Sequence, residues 1–395
     1  MKLHPNLVKA VVLALEEIQQ SDRHADKVIE RVLREDPRRG SRDRRFIAET
    51  IYDIVRWKRL YQTATDSLAP SDWLAAWLIE REISLPAWPM FQSIKSERIR
   101  SVLSDQRLPR AVRQSIPDWL DERGVQELGA SWDVELAALN QPAPVVLRTN
   151  RLKATRGQLI DALSQEGVEA SPVHGLADAV VLEKRMSVFR TRCFHEGWFE
   201  MQDAASQQVA PYLQPEPGMR IIDACAGAGG KTLHLAALMR NKGRLIAMDT
   251  SEWKLNELRK RARRAGVTNL ETRLIEGSRT IKRLGGSADA VLLDVPCSGS
   301  GVWRRNPDSK WKLTPESLDE TRSIQSDILD GYSAMARPGG RLVYATCSIL
   351  PSENRGQVDG FLNRQNGFGL QEDRSLLPSQ GTDGFYMARL LRSHA

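Results

Sequence analysis

The stretch Ile221-Ile222-Asp223-Ala224-Cys225-Ala226-Gly227-Ala228-Gly229-Gly230-Lys231-Thr232 sets a short apolar strand, a turn of small residues and a helix start in succession. Glycines let a backbone approach a bound molecule closely, and the free amides of the following helix favour negative charge. The turn therefore reads as a ligand-binding turn at the end of a strand. A phosphate-cradling loop needs glycine five positions before Gly230, where this chain has Cys225, and a dinucleotide fingerprint starting at Gly227 needs glycine where it has Thr232. Both familiar nucleotide motifs fail.

Outward from this turn, apolar strands alternate with polar helices. Strands are expected at 220–224, 244–249, 271–275, 290–294 and 341–345. Such alternation implies an α/β domain with a mainly parallel sheet covered by helices on both faces. Asp249 closes the strand after the glycine turn, where a carboxylate can accept bonds from ribose hydroxyls. The acid, the turn and the alternation together fit a Rossmann-like S-adenosylmethionine methyltransferase domain.

Two further strand ends carry thiols. Val291-Leu292-Leu293-Asp294-Val295-Pro296-Cys297 runs from a buried strand into a loop, and Leu342-Val343-Tyr344-Ala345-Thr346-Cys347 does the same. Ligands of open α/β sheets bind beyond the carboxyl ends of the strands, so both loops should overhang the cleft of the glycine turn. Singly, each cysteine would more often be a small buried hydrophobe. Jointly, they bring two thiols and the Asp294 carboxylate to a cofactor. A thiol suits one demanding reaction, because C5 of a pyrimidine is a poor nucleophile until something adds at C6, and thiolate is intrinsically nucleophilic even when scarce at neutral pH.

At 395 residues the chain is expected to hold two or three domains. With 41% hydrophobic and 27% charged residues it can bury sizeable cores, which excludes wholesale disorder, collagen-like sequence and a disulfide scaffold. Cys193, Cys225, Cys297 and Cys347 lack the close pairing of a zinc site, so no metal is expected and a reducing cytoplasm is the expected setting. No apolar run reaches the roughly 18 residues of a membrane span. A net charge of +7 favours a polyanionic partner such as nucleic acid.

The N-terminal part reads as helical. Leu7, Val8, Val11, Val12, Leu15 and Ile18 have helical spacing, as do Val28, Ile29, Val32, Leu33 and then Phe46, Ile47, Ile51, Ile54, Val55, with a break at Asp36-Pro-Arg-Arg-Gly40. Arg38, Arg39, Arg42, Arg44 and Arg45 serve either as phosphate contacts or as a solvated loop and helix start. Trp73, Trp77, Trp88, Trp119 and Trp132 are expected as core or inter-helix fillers. Residues 140–200 change to short β-rich runs, Val145-Val146-Leu147-Arg148 and Ala179-Val180-Val181-Leu182, around a helix near 158–165.

The motifs DACAGAGGKT at 223–232, DVPCSGSGVWRRNPDSKW at 294–311 and YATCSILPSEN at 344–354 resemble those of the RNA (cytosine-5) methyltransferases of the RsmB/Sun type. Similarity extends through SIPDWLDERG at 115–124, NQPAPVVLRTNRLK at 140–153, QDAASQQVAPYL at 202–213 and DGFYMARL at 383–390. SRDRRFIAETIYDIVRWKRL at 41–60 resembles a helix of the NusB-like domain that many members carry. The resemblance implies a helical, NusB-like RNA-binding domain over 1–130, a small α+β, RRM-like module over 131–205 and the catalytic domain over 206–395.

It also implies roles. Cys347 corresponds to the nucleophile that attacks C6, Cys297 to the residue that assists release, and Asp294 to the carboxylate facing the base. Cys225, Ala226, Gly227, Ala228, Gly229, Gly230 and Lys231 form the cofactor turn, Lys231 meets the methionine end, Asp249 meets the ribose, and Asp294 borders the cofactor. Arg304, Arg305 and Lys310, which follow the Cys297 loop, serve either as RNA phosphate contacts or as a solvated face. Two positions depart from the family: Ala228 stands where proline is usual, and no aspartate lies near Gly277 to contact adenine. Target selection is expected from the N-terminal half. The expected substrate is ribosomal RNA, with transfer RNA the nearest rival, and the expected state is a monomer. A catalytically idle ribosome-assembly factor is opposed by the intact Cys297, Cys347, Asp294 and Lys231. DNA methylation is disfavoured because the DNA enzymes usually take their nucleophile from the Pro-Cys motif and lack the Thr-Cys partner.

Overall fold

The computed structural model describes residues 3–21 and 23–394, and the chain divides into two compact units. The first comprises the described residues up to Gln141 together with Trp303–Pro315. It is helical. Val8, Val11 and Leu15 recur at three and four positions along the helix Pro5–Gln20 and so share one face. That face is buried with Val28 and Val32 of Ala25–Glu35 and Ile47, Ile51 and Ile54 of Ser41–Arg56. The proline–glycine break separates the second helix from the third, as expected. Trp73, Trp77 and Trp132 are buried fillers, whereas Trp88 and Trp119 are only partly covered. Within the arginine run, Arg38 pairs with Asp36 and Arg45 with Glu49, while Arg39 and Arg44 donate to the Val32 and Arg39 carbonyls. Most of that run is thus engaged within the unit.

The expected boundary after residue 130 moves to Gln141. The helix Trp132–Leu139 belongs to the helical unit because the Trp132 indole packs edge-on to Trp303, with centroids 6.5 Å apart. Gly124 makes room for it: a Cβ there would stand 2.2 Å from the Trp132 ring. Residues 303–315, expected within the catalytic domain, also pack here. Trp311 Nε1 donates to the Val55 carbonyl at 2.8 Å, and Asp308 Oδ2 accepts from the Ala25 amide at 3.0 Å, satisfying an otherwise unpaired donor at a helix start.

The second unit holds Pro142–Val302 and the chain from Glu316 onward. Its smaller sheet is antiparallel, in the order β2-β3-β1-β4, from β1 (Val146–Thr149), β2 (Ala170–Pro172), β3 (Ala179–Leu182) and β4 (Phe199–Met201). The helix Arg156–Gln165 starts at a capping box in which Thr155 and Gln158 bond each other's backbone amides. This small α+β module, expected as a separate domain, is fixed to the catalytic part of the same unit. Asn150 Nδ2 donates to the Ala265 carbonyl at 2.8 Å, and the buried His234 meets Asp178 at 3.3 Å.

The larger sheet has seven strands: β5 (Arg220–Asp223), β6 (Arg244–Asp249), β7 (Leu270–Leu274), β8 (Ala288–Asp294), β9 (Ala336–Thr346), β10 (Phe368–Leu376) and β11 (Phe385–Arg392). Their order is β10-β11-β9-β8-β5-β6-β7, with β5 to β9 mutually parallel and β10 and β11 antiparallel at one edge. Alternation along each strand sends Ile222, Ile246, Val291 and Leu293 into one core layer and Ile221, Leu245, Ala290 and Leu292 into the other. The fold is therefore Rossmann-like α/β. Its strand order reverses between β5 and β8, so the loops that follow them flank the crevice where such sheets bind ligands. Among the described residues no helix is long and apolar enough to cross a membrane.

Candidate active site

The glycine turn leaves β5 and enters the helix Gly230–Leu238. Gly227 and Gly229 have φ of +54° and +92°, a region that side chains resist, and a Cβ on Gly229 would stand 2.1 Å from Leu258. A Cβ on Gly227 or Gly230 would meet nothing within 4 Å, so the turn's backbone borders open space. Asp249, at the end of β6, accepts from the Gly227 amide at 2.9 Å and the Ser251 amide at 2.8 Å. One carboxylate thus ties the turn to the end of the next strand. Beneath the turn, Asp223 is buried. Desolvation raises its pKa to about 7 against the opposing bond from Thr232 Oγ1 at 2.6 Å.

Lys231, on the first turn of that helix, donates to Asp294 Oδ2 at 2.6 Å across the β5–β8 crevice. Its ammonium also lies 5.1 Å from the centre of the Phe385 ring. Burial by itself would depress the Lys231 pKa, but the Asp294 charge and bond, with Cys347 and Asp223 nearby, raise it instead. Lys231 therefore stays cationic.

Cys297 and Cys347 are both free, and their Sγ atoms lie 3.3 Å apart. Adjacent parallel strands make this possible: Asp294 pairs in register with Ala345, and the Gly301 amide donates to the Cys347 carbonyl at 2.9 Å. The Cys297 thiol is pushed well above its ordinary pKa by its hydrogen bond to Cys347, then by burial and by the charges of Cys347 and Glu353. Cys225 is also pushed up, by burial and by Asp223, Asp294 and Asp249 around it. Cys193 lies in the small module, where burial and Glu166 raise it to about 11. Both are held as inert thiols.

Glu353 was not singled out from the sequence, although it lies in the motif at 344–354. It is fully buried and accepts from Ser298 Oγ, Ser348 Oγ and, at 2.8 Å, the Ser298 amide, while Gln325 Nε2 reaches it at 3.0 Å. One carboxylate thus clamps the residue following each cysteine. Phe385, inside the motif at 383–390, is the other site residue that motif position alone could have flagged.

A family model described as 16S rRNA methyltransferase RsmB/F matches residues 210–391, and one described as the ferredoxin-like domain of RsmF/B-like methyltransferases matches residues 116–189. The probable ribosomal RNA small subunit methyltransferase B of Synechocystis is 31% identical over 392 residues, which cover 89% of this chain and 87% of that protein. The chain belongs to the RsmB/F family of RNA methyltransferases. Ribosomal RNA small subunit methyltransferase B of Vibrio cholerae is 37% identical over 295 residues, covering 72% of this chain and 67% of that one. The solved structure of PH0851 shares the fold over 99% of both chains, with a TM-score of 0.84 at 23% identity.

The residues present fit S-adenosylmethionine, the cofactor that the resemblance to the RsmB/F methyltransferases implies. The turn at 225–231 leaves open space above Gly227 and Gly230. Around it stand a cation at Lys231, carboxylates at Asp249 and Asp294, and a buried Asp223 whose Oδ1 has no partner. These are the groups that a zwitterionic amino acid and a ribose require.

The expected phosphate contacts need correction. Lys310 is 1% exposed, and its ammonium donates to the Arg56 carbonyl at 2.9 Å and to Asn140 Oδ1 at 3.2 Å. Burial, with Arg56 beside it, pushes its pKa well down. Lys310 is an anchor of the helical unit, not a phosphate contact. Arg304 is likewise buried, and its carbonyl accepts from the Arg56 guanidinium. Of the three, Arg305 alone is partly exposed.

Proposed function

We propose that this chain transfers a methyl group from S-adenosylmethionine to C5 of a cytosine in ribosomal RNA, through a transient bond between Cys347 and C6. The observation that carries this is the thiol pair at 3.3 Å beside the Lys231–Asp294 ion pair, at neighbouring strand ends. Relatives named as ribosomal RNA small subunit methyltransferases support the substrate class.

Cys347 attacks C6 as thiolate, and the electron pair of the C5–C6 bond moves to C5. The bound cofactor supplies the methyl group as electrophile. The Asp294 carboxylate accepts from the exocyclic amino group, and Lys231 holds Asp294 in place. Cys297 keeps its proton during the attack, since the hydrogen bond of Cys347, burial and the charges of Cys347 and Glu353 all raise it. Once Cys347 is a thioether its charge is gone, so that part of the rise is lifted while burial and Glu353 remain, and Cys297 releases its proton to water. As thiolate it then takes the proton from C5, the electron pair re-forms C5–C6, and Cys347 leaves. Each bond made is matched by one broken, and no oxidant is needed. The helical unit, with Arg305 nearby in sequence to the Cys297 loop, serves RNA capture.

Bisulfite sequencing of total RNA from strains with and without the gene tests the assignment. One ribosomal cytosine should lose its methylation signal in the deletion strain. A lost transfer RNA site would reassign the substrate, and no lost site in any RNA would refute cytosine-5 chemistry.

A further inference from the structure

Two carbonyl groups of the cofactor turn are held by arginines. Arg261, on the helix Glu252–Ala265, donates from Nη1 to the Ala228 carbonyl at 2.7 Å. Arg148, on β1 of the small module, donates from Nη1 to the Gly230 carbonyl and to Gln202 Oε1. Glu200, on β4, accepts from Arg261 Nη2 at 2.9 Å and from Arg264 Nη2. Arg148 and Glu200 are directly opposite in the β1–β4 register, and they are 2% and 4% exposed. Taking such charges out of water is costly unless each finds strong partners, and here the partners include the turn itself. Burial pushes the Arg148 pKa down to about 10 against the pull of Glu200, a measure of that cost.

The geometry has a consequence for ligand binding. A trans peptide plane fixes the amide of one residue opposite the carbonyl of the residue before it. Holding the Gly230 carbonyl therefore aims the Lys231 amide, one of the unpaired donors at the helix start. Holding the Ala228 carbonyl fixes the Gly229 amide, which closes the turn on the Ala226 carbonyl at 2.9 Å. Ala228 has no ring to restrict its φ, so its peptide direction must be set from outside.

We propose that Arg148, Arg261 and Glu200 are positioning residues that set affinity for S-adenosylmethionine by fixing the peptide planes of the turn, without touching the cofactor. This rests on residues 225–231 being the cofactor turn. The small module thereby acts as a brace for the cofactor site as well as a candidate RNA-facing element.

Calorimetric titration of the full chain with S-adenosylmethionine, paired with urea unfolding of each variant, tests this. Arg261→Ala and Glu200→Gln should each weaken binding about tenfold, the scale of one lost charge-assisted bond, beyond whatever loss of folded protein the urea curves show for each variant. Arg261→Lys, which retains a donor for the Ala228 carbonyl, should restore most of the affinity. Unchanged affinity in Arg261→Ala and Glu200→Gln, or a loss that tracks the loss of folded protein and is not restored by lysine, overturns the brace. If the wild type itself does not bind, the cofactor turn is misplaced and the brace falls with it.

Discussion

Cys297 Sγ stands 3.3 Å from Cys347 Sγ, two free thiols on the loops that leave neighbouring parallel strands. Their environments differ in one respect: the hydrogen bond to Cys347, burial and Glu353 hold the Cys297 thiol well above its ordinary pKa, and the proposed mechanism assigns attack to Cys347 and release to Cys297. Cys347→Ala should abolish methyl transfer and form no covalent RNA adduct, with cofactor binding retained. Cys297→Ala should still attack and methylate, then stall with RNA attached. Denaturing electrophoresis with transcribed ribosomal RNA fragments reads this directly, and the double variant should lose the slow band. An adduct from Cys347→Ala with none from Cys297→Ala would invert the two assignments.

Asp249 accepts from the Gly227 and Ser251 amides, and we propose that it also accepts from the ribose of the cofactor. Asp249→Ala should weaken S-adenosylmethionine binding by roughly 1.5–3 kcal/mol, the range for a bond to a charged group. Isothermal calorimetry measures this. Equal affinity in wild type and variant would end the ribose role.

Asp223 keeps its proton to about pH 7 in the native state, whereas an unfolded aspartate loses it near 3.8. Between these values the native state binds more protons than the unfolded one, so this contribution is complete below about pH 3.8 and is lost as pH rises through 7. Asp223→Asn removes the titration. Within that window the wild type should lose up to about 1.4 kcal/mol per pH unit relative to the variant. Urea midpoints collected from pH 5 to about 8 would show parallel curves if Asp223 ionises normally.

Lys310→Ala should behave as a stability variant. The Arg56 carbonyl and Asn140 Oδ1 lose their donor, at about 1–3 kcal/mol for each group left unsatisfied. The dependence of RNA affinity on salt should keep its wild-type slope. A slope smaller by about one would return Lys310 to the phosphate backbone.

The sequence by itself determined the parts whose signals are local. The turn at 223–232, the strand ends at Asp249 and Asp294 and the cysteines at 297 and 347 were legible because each motif joins a strand to a turn whose chemistry needs those residue types. The helical stripe at Val8, Val11 and Leu15 was equally legible, since periodicity decides which face is buried. Tertiary structure alone decided what depends on partners distant in the chain. Lys310 looked like a phosphate contact among neighbouring arginines, yet Arg56 and Asn140, far away in sequence, bury and bond it. Residues 303–315 left the catalytic unit for the helical one through Trp132 and Val55. Glu353 reaches Ser298, Arg148 the Gly230 carbonyl and Glu200 the arginines of the helix Glu252–Ala265 only because the fold brings together segments distant in the chain. Desolvation follows the same logic: it raises Asp223 and lowers Lys310 according to what the whole fold packs around each charge, which a linear sequence does not display.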